Sequence, residues 1–135
     1  MYEHKIQYYE TDKMGITHHS NYIRFMEEAR IAWLDEIGWS FDKLEKMGLT
    51  SPVISVKCEY KKTTTYPDII LIKTSLDSYN GVKMKIKYEM MNKETGEIVV
   101  IGETGHCFLN EKGLPIIIKK SHPEFDEVLK ECINQ

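Results

Sequence analysis

Between Tyr22 and Ile37 apolar residues recur at three- and four-residue spacing: Tyr22, Phe25 or Met26, Ala29, Ala32 or Trp33, then Ile37. Arg24, Glu27, Glu28 and Arg30 fall mostly between them, so the segment reads as one amphipathic helix of roughly five turns. Gly38 suits a left-handed position just past its end. This pattern constrains the fold more than any other, because almost everything after Pro52 is β in character. A single long helix with one broad apolar face must bury that face on a sheet.

The sheet can be read from the rest of the chain. "EHKIQYY", ahead of the helix, alternates well enough for a first strand. "SFDKLEKMGL" follows the long helix as a shorter one, with Ser40 as N-cap and Gly48 as its stop. "VISVKCEYKKTTTY", "DIILIKTSLDSY", "GVKMKIKYEMM" and "IVVIGETGHCFL" then read as four strands, the third and fourth joined by the turn "NKETGE". In the third, Met84, Ile86, Tyr88 and Met90 share one face and Lys83, Lys85, Lys87 and Glu89 the other. Gly102 and Gly105 within the fourth suggest a bulge or the close approach of another backbone. "SHPEFDEVLKECINQ" reads as a short C-terminal helix. The expected class is α+β: a curved antiparallel five-stranded sheet wrapped around one long helix, in one domain over residues 1–135. Such a sheet has two open edges, which dimerisation often covers.

Composition narrows the function by exclusion. A net charge of −3 gives no reason to expect nucleic acid as a partner. No apolar run approaches the ~20 residues of a membrane-spanning helix, and the charges of "MYEHKIQYYE" interrupt what a signal peptide would need. The expected location is therefore the cytoplasm. Cys58, Cys107 and Cys132 are odd in number and lack CxxC spacing, so they read as reduced packing residues.

The chemistry concentrates in "YYETDKMGITHHSNY", where an aspartate, a glycine and two adjacent histidines precede the helix. No GxSxG elbow supports a Ser/His/Asp triad. His18 and His19 would diverge, and no HxxxH, HExxH or CxxC spacing adds ligands, so no metal is expected. His106 and Cys107 are strand neighbours and point to opposite faces. Gly15 stands alone, which excludes a phosphate-cradling glycine loop. What remains is a carboxylate, Asp12, just ahead of a helix end whose free N–H groups favour negative charge. Such an end can polarise a carbonyl and hold the oxyanion formed on attack, with the carboxylate as nucleophile or as base for water.

The pattern Y-x-x-x-D-x-x-G-x-x-x-H-x-x-Y, realised as Tyr8, Asp12, Gly15, His19 and Tyr22 and followed by "IRFMEEAR", resembles the acyl-CoA thioesterases of the hot-dog fold. The likeness is to the 4-hydroxybenzoyl-CoA thioesterase family, and within it to the small branch associated with the Tol–Pal cluster. It covers about residues 3–120. The resemblance implies hydrolysis of an acyl-CoA thioester to free acid and coenzyme A. Asp12 stands at the place of the catalytic carboxylate, and His19 matches the branch's histidine, its backbone N–H matching the oxyanion donor. Tyr8 matches a tyrosine that places the acid or the attacking water. Gly15 gives room for the thioester and Tyr22 completes the motif on the substrate side. The resemblance also implies a homodimer or homotetramer with coenzyme A along the interface, and no cofactor beyond that substrate. Some relatives carry a basic cluster for the coenzyme A phosphates at a turn that here reads "SYNGVK", leaving Lys83 near it. Lys61 and Lys62 are alternative contacts. Trp33, Tyr60 and Met90 are candidates for the acyl pocket, and His18 is expected to face solvent.

Each reading has a plainer rival. Asp12 could be a turn or capping aspartate, His19 a hydrogen-bonded imidazole, Tyr8 a packing residue, and the lysines a solvated strand end. Glu27 and Glu28, spaced three and four from arginines, read as surface pairs rather than as the helix carboxylate used by a second thioesterase lineage. Two other functions on this fold compete. A hydratase or dehydratase of enoyl or 3-hydroxyacyl thioesters would place its acid and histidine two residues closer or on separate subunits. A non-catalytic acyl-CoA binding module would have no need for the Asp12–His19 pair.

Overall fold

A computed structural model describes residues 1–133. The long helix runs Asn21–Glu36 (α1), and Gly38 takes the left-handed conformation beyond it with φ of +84°. A second helix, Phe41–Lys46 (α2), is capped as its sequence requires: the Ser40 side chain accepts the Lys43 N–H at 3.1 Å. Strands Tyr2–Lys5 (β1), Val53–Tyr60 (β2), Ile69–Tyr79 (β3), Lys83–Asn92 (β4) and Ile98–Cys107 (β5) form one antiparallel sheet in the order β1-β3-β4-β5-β2. The chain ends in Ile118–Ser121 (α3) and Pro123–Ile133 (α4); the last two residues of the expected C-terminal helix lie outside the described residues.

The expected architecture is present, a sheet packed around one long helix. Tyr22, Phe25, Met26, Ala29, Trp33 and Leu34 of α1 meet Ile70, Ile72, Leu76, Met84, Ile86, Tyr88, Met90 and Val100 of the sheet, all buried. The larger apolar side chains among them, Phe25, Met26, Leu34 and the sheet's Ile, Leu, Val and Met residues, each stabilise the fold by about 1.5–3 kcal/mol relative to exposure. Close approach of a side chain explains both strand glycines. A Cβ on Gly102 would lie 2.5 Å from Met26 Sδ, so the helix descends onto β5 there; a Cβ on Gly105 would meet the Ser55 hydroxyl of β2. At the far end Phe125 and Leu129 anchor α4 against Trp39 and Phe108, while Asp126 accepts from the Tyr79 hydroxyl at 2.5 Å.

Several local expectations are corrected. The first strand stops at Lys5: Ile6 plunges into the core and Tyr8–Glu10 form a short 3₁₀ turn instead of continuing the alternation. The strand expected to run through "KKTTTY" stops at Tyr60, beyond which Thr64 and Thr65 pair with the loop ahead of α1. Arg30, grouped above with the solvent-side charges, is only 8% exposed. It continues the four-residue row Tyr22–Met26, which is the row that faces the sheet. Its guanidinium lies beside Tyr88 and His106. There the Ser51 carbonyl faces His106 Nδ1 at 3.3 Å, which makes that nitrogen the donor. His106 Nε2 then accepts from Thr104 Oγ1 at 2.8 Å, and that oxygen lies 2.8 Å from the Tyr88 hydroxyl. Burial, then the nearby guanidinium, push the His106 imidazole down to about 4.

The two sheet edges differ. β1 has four residues, with Glu3 paired to Lys93 at 2.8 Å. β2 has eight and leaves Ile54, Val56 and Tyr60 of its inner row about half exposed.

Candidate active site

The loop between the 3₁₀ turn and α1 is a small closed ladder. The Glu10 carbonyl accepts the His18 N–H at 2.8 Å, Thr11 bridges Thr17, and Asp12 N–H donates to Ile16 O at 2.8 Å. At the tip Gly15 donates to Asp12 O at 3.0 Å with φ of +80°, a turn that needs glycine at that position. The Asp12 carboxylate caps this turn, Oδ1 accepting Met14 N–H at 2.8 Å. Both the plain and the chemical use of Asp12 are therefore open to one group: one oxygen fixes the side chain, and the carboxylate stays half-buried.

Residues His18–Ser20 turn into α1, with Asn21 N–H on His18 O at 3.0 Å and Tyr22 N–H on His19 O at 3.3 Å. His18 is exposed, as expected; its Nδ1 accepts Ser20 N–H at 3.2 Å and its ring stacks on His19 with centroids 4.3 Å apart. For the His19 N–H no acceptor is found among the described residues. This leaves a backbone donor at the start of a sixteen-residue helix, where the macrodipole adds to its pull on an anion. Tyr60, the last residue of β2, stands against this corner. Its hydroxyl donates to His19 O at 3.3 Å, and burial and then the neighbouring Cys58 push that phenol up to about 12.

The loop sits where it does because of contacts that sequence reading missed. Thr17 and Thr64 share a buried hydroxyl pair at 2.6 Å, and Thr17 N–H donates to Thr64 O at 2.8 Å. On the other side His4 of β1 puts Nε2 2.9 Å from Glu10 Oε1 and Nδ1 3.1 Å from Glu28 Oε2, with its ring tilted on Phe25 at 4.0 Å. Glu28 thus faces His4 and the Tyr2 hydroxyl, at 3.2 Å, rather than an arginine. Glu10 Oε1 also accepts Gln7 N–H at 2.7 Å, which closes the 3₁₀ turn on the same carboxylate.

The remaining candidates scatter. Tyr8 is 79% exposed and leans edge-on against Tyr66 at 5.9 Å; no hydrogen bond joins it to Asp12 among the described residues. The 3₁₀ turn leaves its ring facing outward in the single chain. Tyr22 is buried, its hydroxyl held by Thr64 Oγ1 at 2.8 Å, so in the single chain it supports the loop rather than facing a ligand. Lys61 and Lys62 follow Tyr60 at the site end of the sheet but pair with Glu59 at 3.0 Å and Glu97 at 3.3 Å. Lys83 is opposite Cys107, at the other end of the strands from Tyr60, which is opposite Val100. Trp33 and Met90 are enclosed in the core, leaving Tyr60 as the one acyl-pocket candidate at the site. Among the described residues no cluster of His, Cys, Asp and Glu has a metal-binding arrangement, and no helix is long and apolar enough to cross a membrane.

Comparison with known proteins places the chain in a family. YneP of Bacillus subtilis, provisionally named an acyl-CoA thioesterase, is 34% identical over 124 residues, covering 91% of this chain and 89% of that protein. The acyl-CoA thioester hydrolase YbgC of Escherichia coli is 26% identical over 90 residues, 67% of each chain. The crystal structure of a DHNA-CoA thioesterase from Staphylococcus aureus superposes with a TM-score of 0.91 at 33% identity, covering 96% of this chain and 87% of that one. With its curved antiparallel sheet around α1 and a match to the Thioesterase-like superfamily over residues 6–133, the chain belongs to that hot-dog family.

Proposed function

We propose that this protein hydrolyses an acyl-CoA thioester to the free acid and coenzyme A. The observation that carries the reading is the Asp12 carboxylate, fixed by its own turn a short ladder away from the His19 N–H, which has no acceptor among the described residues, at the start of α1. In this reading the thioester carbonyl oxygen points at the His19 N–H. Asp12 takes a proton from water, or attacks the carbonyl itself; the oxyanion that forms is stabilised by the backbone donor and the helix end. Collapse breaks the carbon–sulfur bond. In the water route the leaving thiolate takes the proton that Asp12 removed; in the anhydride route it leaves as thiolate and takes a proton from the water that later cleaves the anhydride. The water oxygen ends in the carboxylic acid, directly or after hydrolysis of an anhydride. The reaction needs no metal or prosthetic group.

Coenzyme A is proposed to approach the site end of the sheet, with Lys61 and Lys62 near its phosphates and Lys83 too far along β4 to reach the same site of one chain. A second copy is proposed to pair along β2, whose eight-residue edge and half-exposed Ile54, Val56 and Tyr60 favour strand addition. The cytoplasm suits such a substrate.

The experiment is release of free thiol from short, long and aromatic acyl-CoAs by the native protein and by Asp12→Asn. Expected is a loss of roughly 10²–10⁴-fold in kcat with the fold unchanged. Full activity in the variant removes Asp12 from the mechanism and turns attention to Glu27 or Glu28. Loss of enoyl absorbance on crotonyl-CoA marks a hydratase instead, and tight coenzyme A binding with no hydrolysis marks a binding module.

A further inference from the structure

The reading of Asp12 as the catalytic carboxylate underlies a second assignment. We propose that His4 is a positioning residue for the reaction, acting through Glu10 to hold the Asp12 loop in register with the start of α1. Glu10 is the joint. Only 6% exposed, it accepts His4 Nε2 at 2.9 Å and Gln7 N–H at 2.7 Å on one carboxylate oxygen. Its backbone carbonyl accepts the His18 N–H at 2.8 Å and the Asn21 side-chain amide at 2.9 Å. One residue therefore closes the neck of the loop that carries Asp12 and grips the first residue of α1. His4 ties this joint to the body of the helix. Its second nitrogen meets Glu28 at 3.1 Å, two turns into α1, and its ring packs on Phe25 from the same helix. Glu28 in turn accepts from the Tyr2 hydroxyl at 3.2 Å, so β1 holds the clasp at two points.

The imidazole is the element that a packing account does not explain. An apolar residue would cover Phe25 equally well but would leave the buried Glu10 carboxylate without its side-chain partner. The distance between the Asp12 carboxylate and the His19 N–H is set by the loop neck, and displacement of a reacting group by about an ångström costs up to ~10²-fold in rate.

The test is a double-mutant cycle on thiol release from acyl-CoA, using the full chain. His4→Phe keeps the ring surface and removes both nitrogens. Expected is a fall in kcat of roughly tenfold or more with KM within about threefold, since substrate contacts remain. In an Asp12→Asn background the same substitution changes the residual rate by less than about twofold, because there is no longer a carboxylate to place. Glu3→Gln, which opens only the surface pair with Lys93 on the same strand, leaves kcat unchanged. Equal losses from His4→Phe in both backgrounds, a rise in KM alone, or no loss at all overturn the assignment. Failure of the underlying reading shows separately, as full activity in Asp12→Asn alone. Should His4→Phe not fold, Glu28→Gln run through the same cycle decides it, since Glu28 is half-exposed and the substitution keeps its shape.

Discussion

His4 and His106 are both inward-facing strand histidines, yet the fold uses them in opposite ways. His4 sits between two carboxylates, one on each ring nitrogen, at the seam between β1, the Asp12 loop and α1. His106 is fully enclosed, bonded to a carbonyl and a hydroxyl, with the Arg30 guanidinium nearby. The first environment offers two acceptors and joins separate segments. The second offers one acceptor and one donor and fills the core with a neutral ring. The lesson is that residue type alone does not separate a site from a scaffold; the partners do.

The largest effect expected from this contrast is on acid stability. Below pH ~6.5 the unfolded chain takes up a proton on His106 that the folded chain refuses until about pH 4, so stability falls in that window. Urea unfolding at pH 7.5 and pH 5 should differ by about 2 kcal/mol from this group, and His106→Gln should remove that part of the slope. Next in size is Arg30→Met, which removes the nearby positive charge. The His106 imidazole should then titrate at higher pH by NMR, and the acid loss should shrink by less than about 1 kcal/mol, since burial is the larger cause. An unchanged titration would assign the whole effect to burial. Smaller again is Glu28→Gln at the other histidine: with a half-exposed partner, unfolding free energy at neutral pH should move by about 0.5 kcal/mol or less. Smallest is Tyr60→Phe, which deletes a single 3.3 Å hydrogen bond to His19 O and should lower kcat only about twofold to threefold.

The fold was legible because periodicity reports burial. The helix at 21–36, the capped α2, and the alternation of Met84, Ile86, Tyr88 and Met90 all follow from which faces must leave water. The same signal failed at Tyr8, where a 3₁₀ turn breaks the strand phase, and at Arg30, where a charge occupies an inward row. The Asp12 loop was legible as a pattern. Its supports were not, since His4–Glu28 and Thr17–Thr64 join residues 24 and 47 positions apart in sequence. Such pairings depend on where the sheet curls, which no local window contains.

The hydrogen bond from Tyr60 to the His19 carbonyl has one more consequence. Tyr60 ends the open edge strand, so whatever zips onto β2 also pulls on the corner that holds His19. If a second copy adds to β2 as proposed, assembly and turnover share a lever and specific activity should fall on dilution: the rate per chain would then report how many edges are occupied.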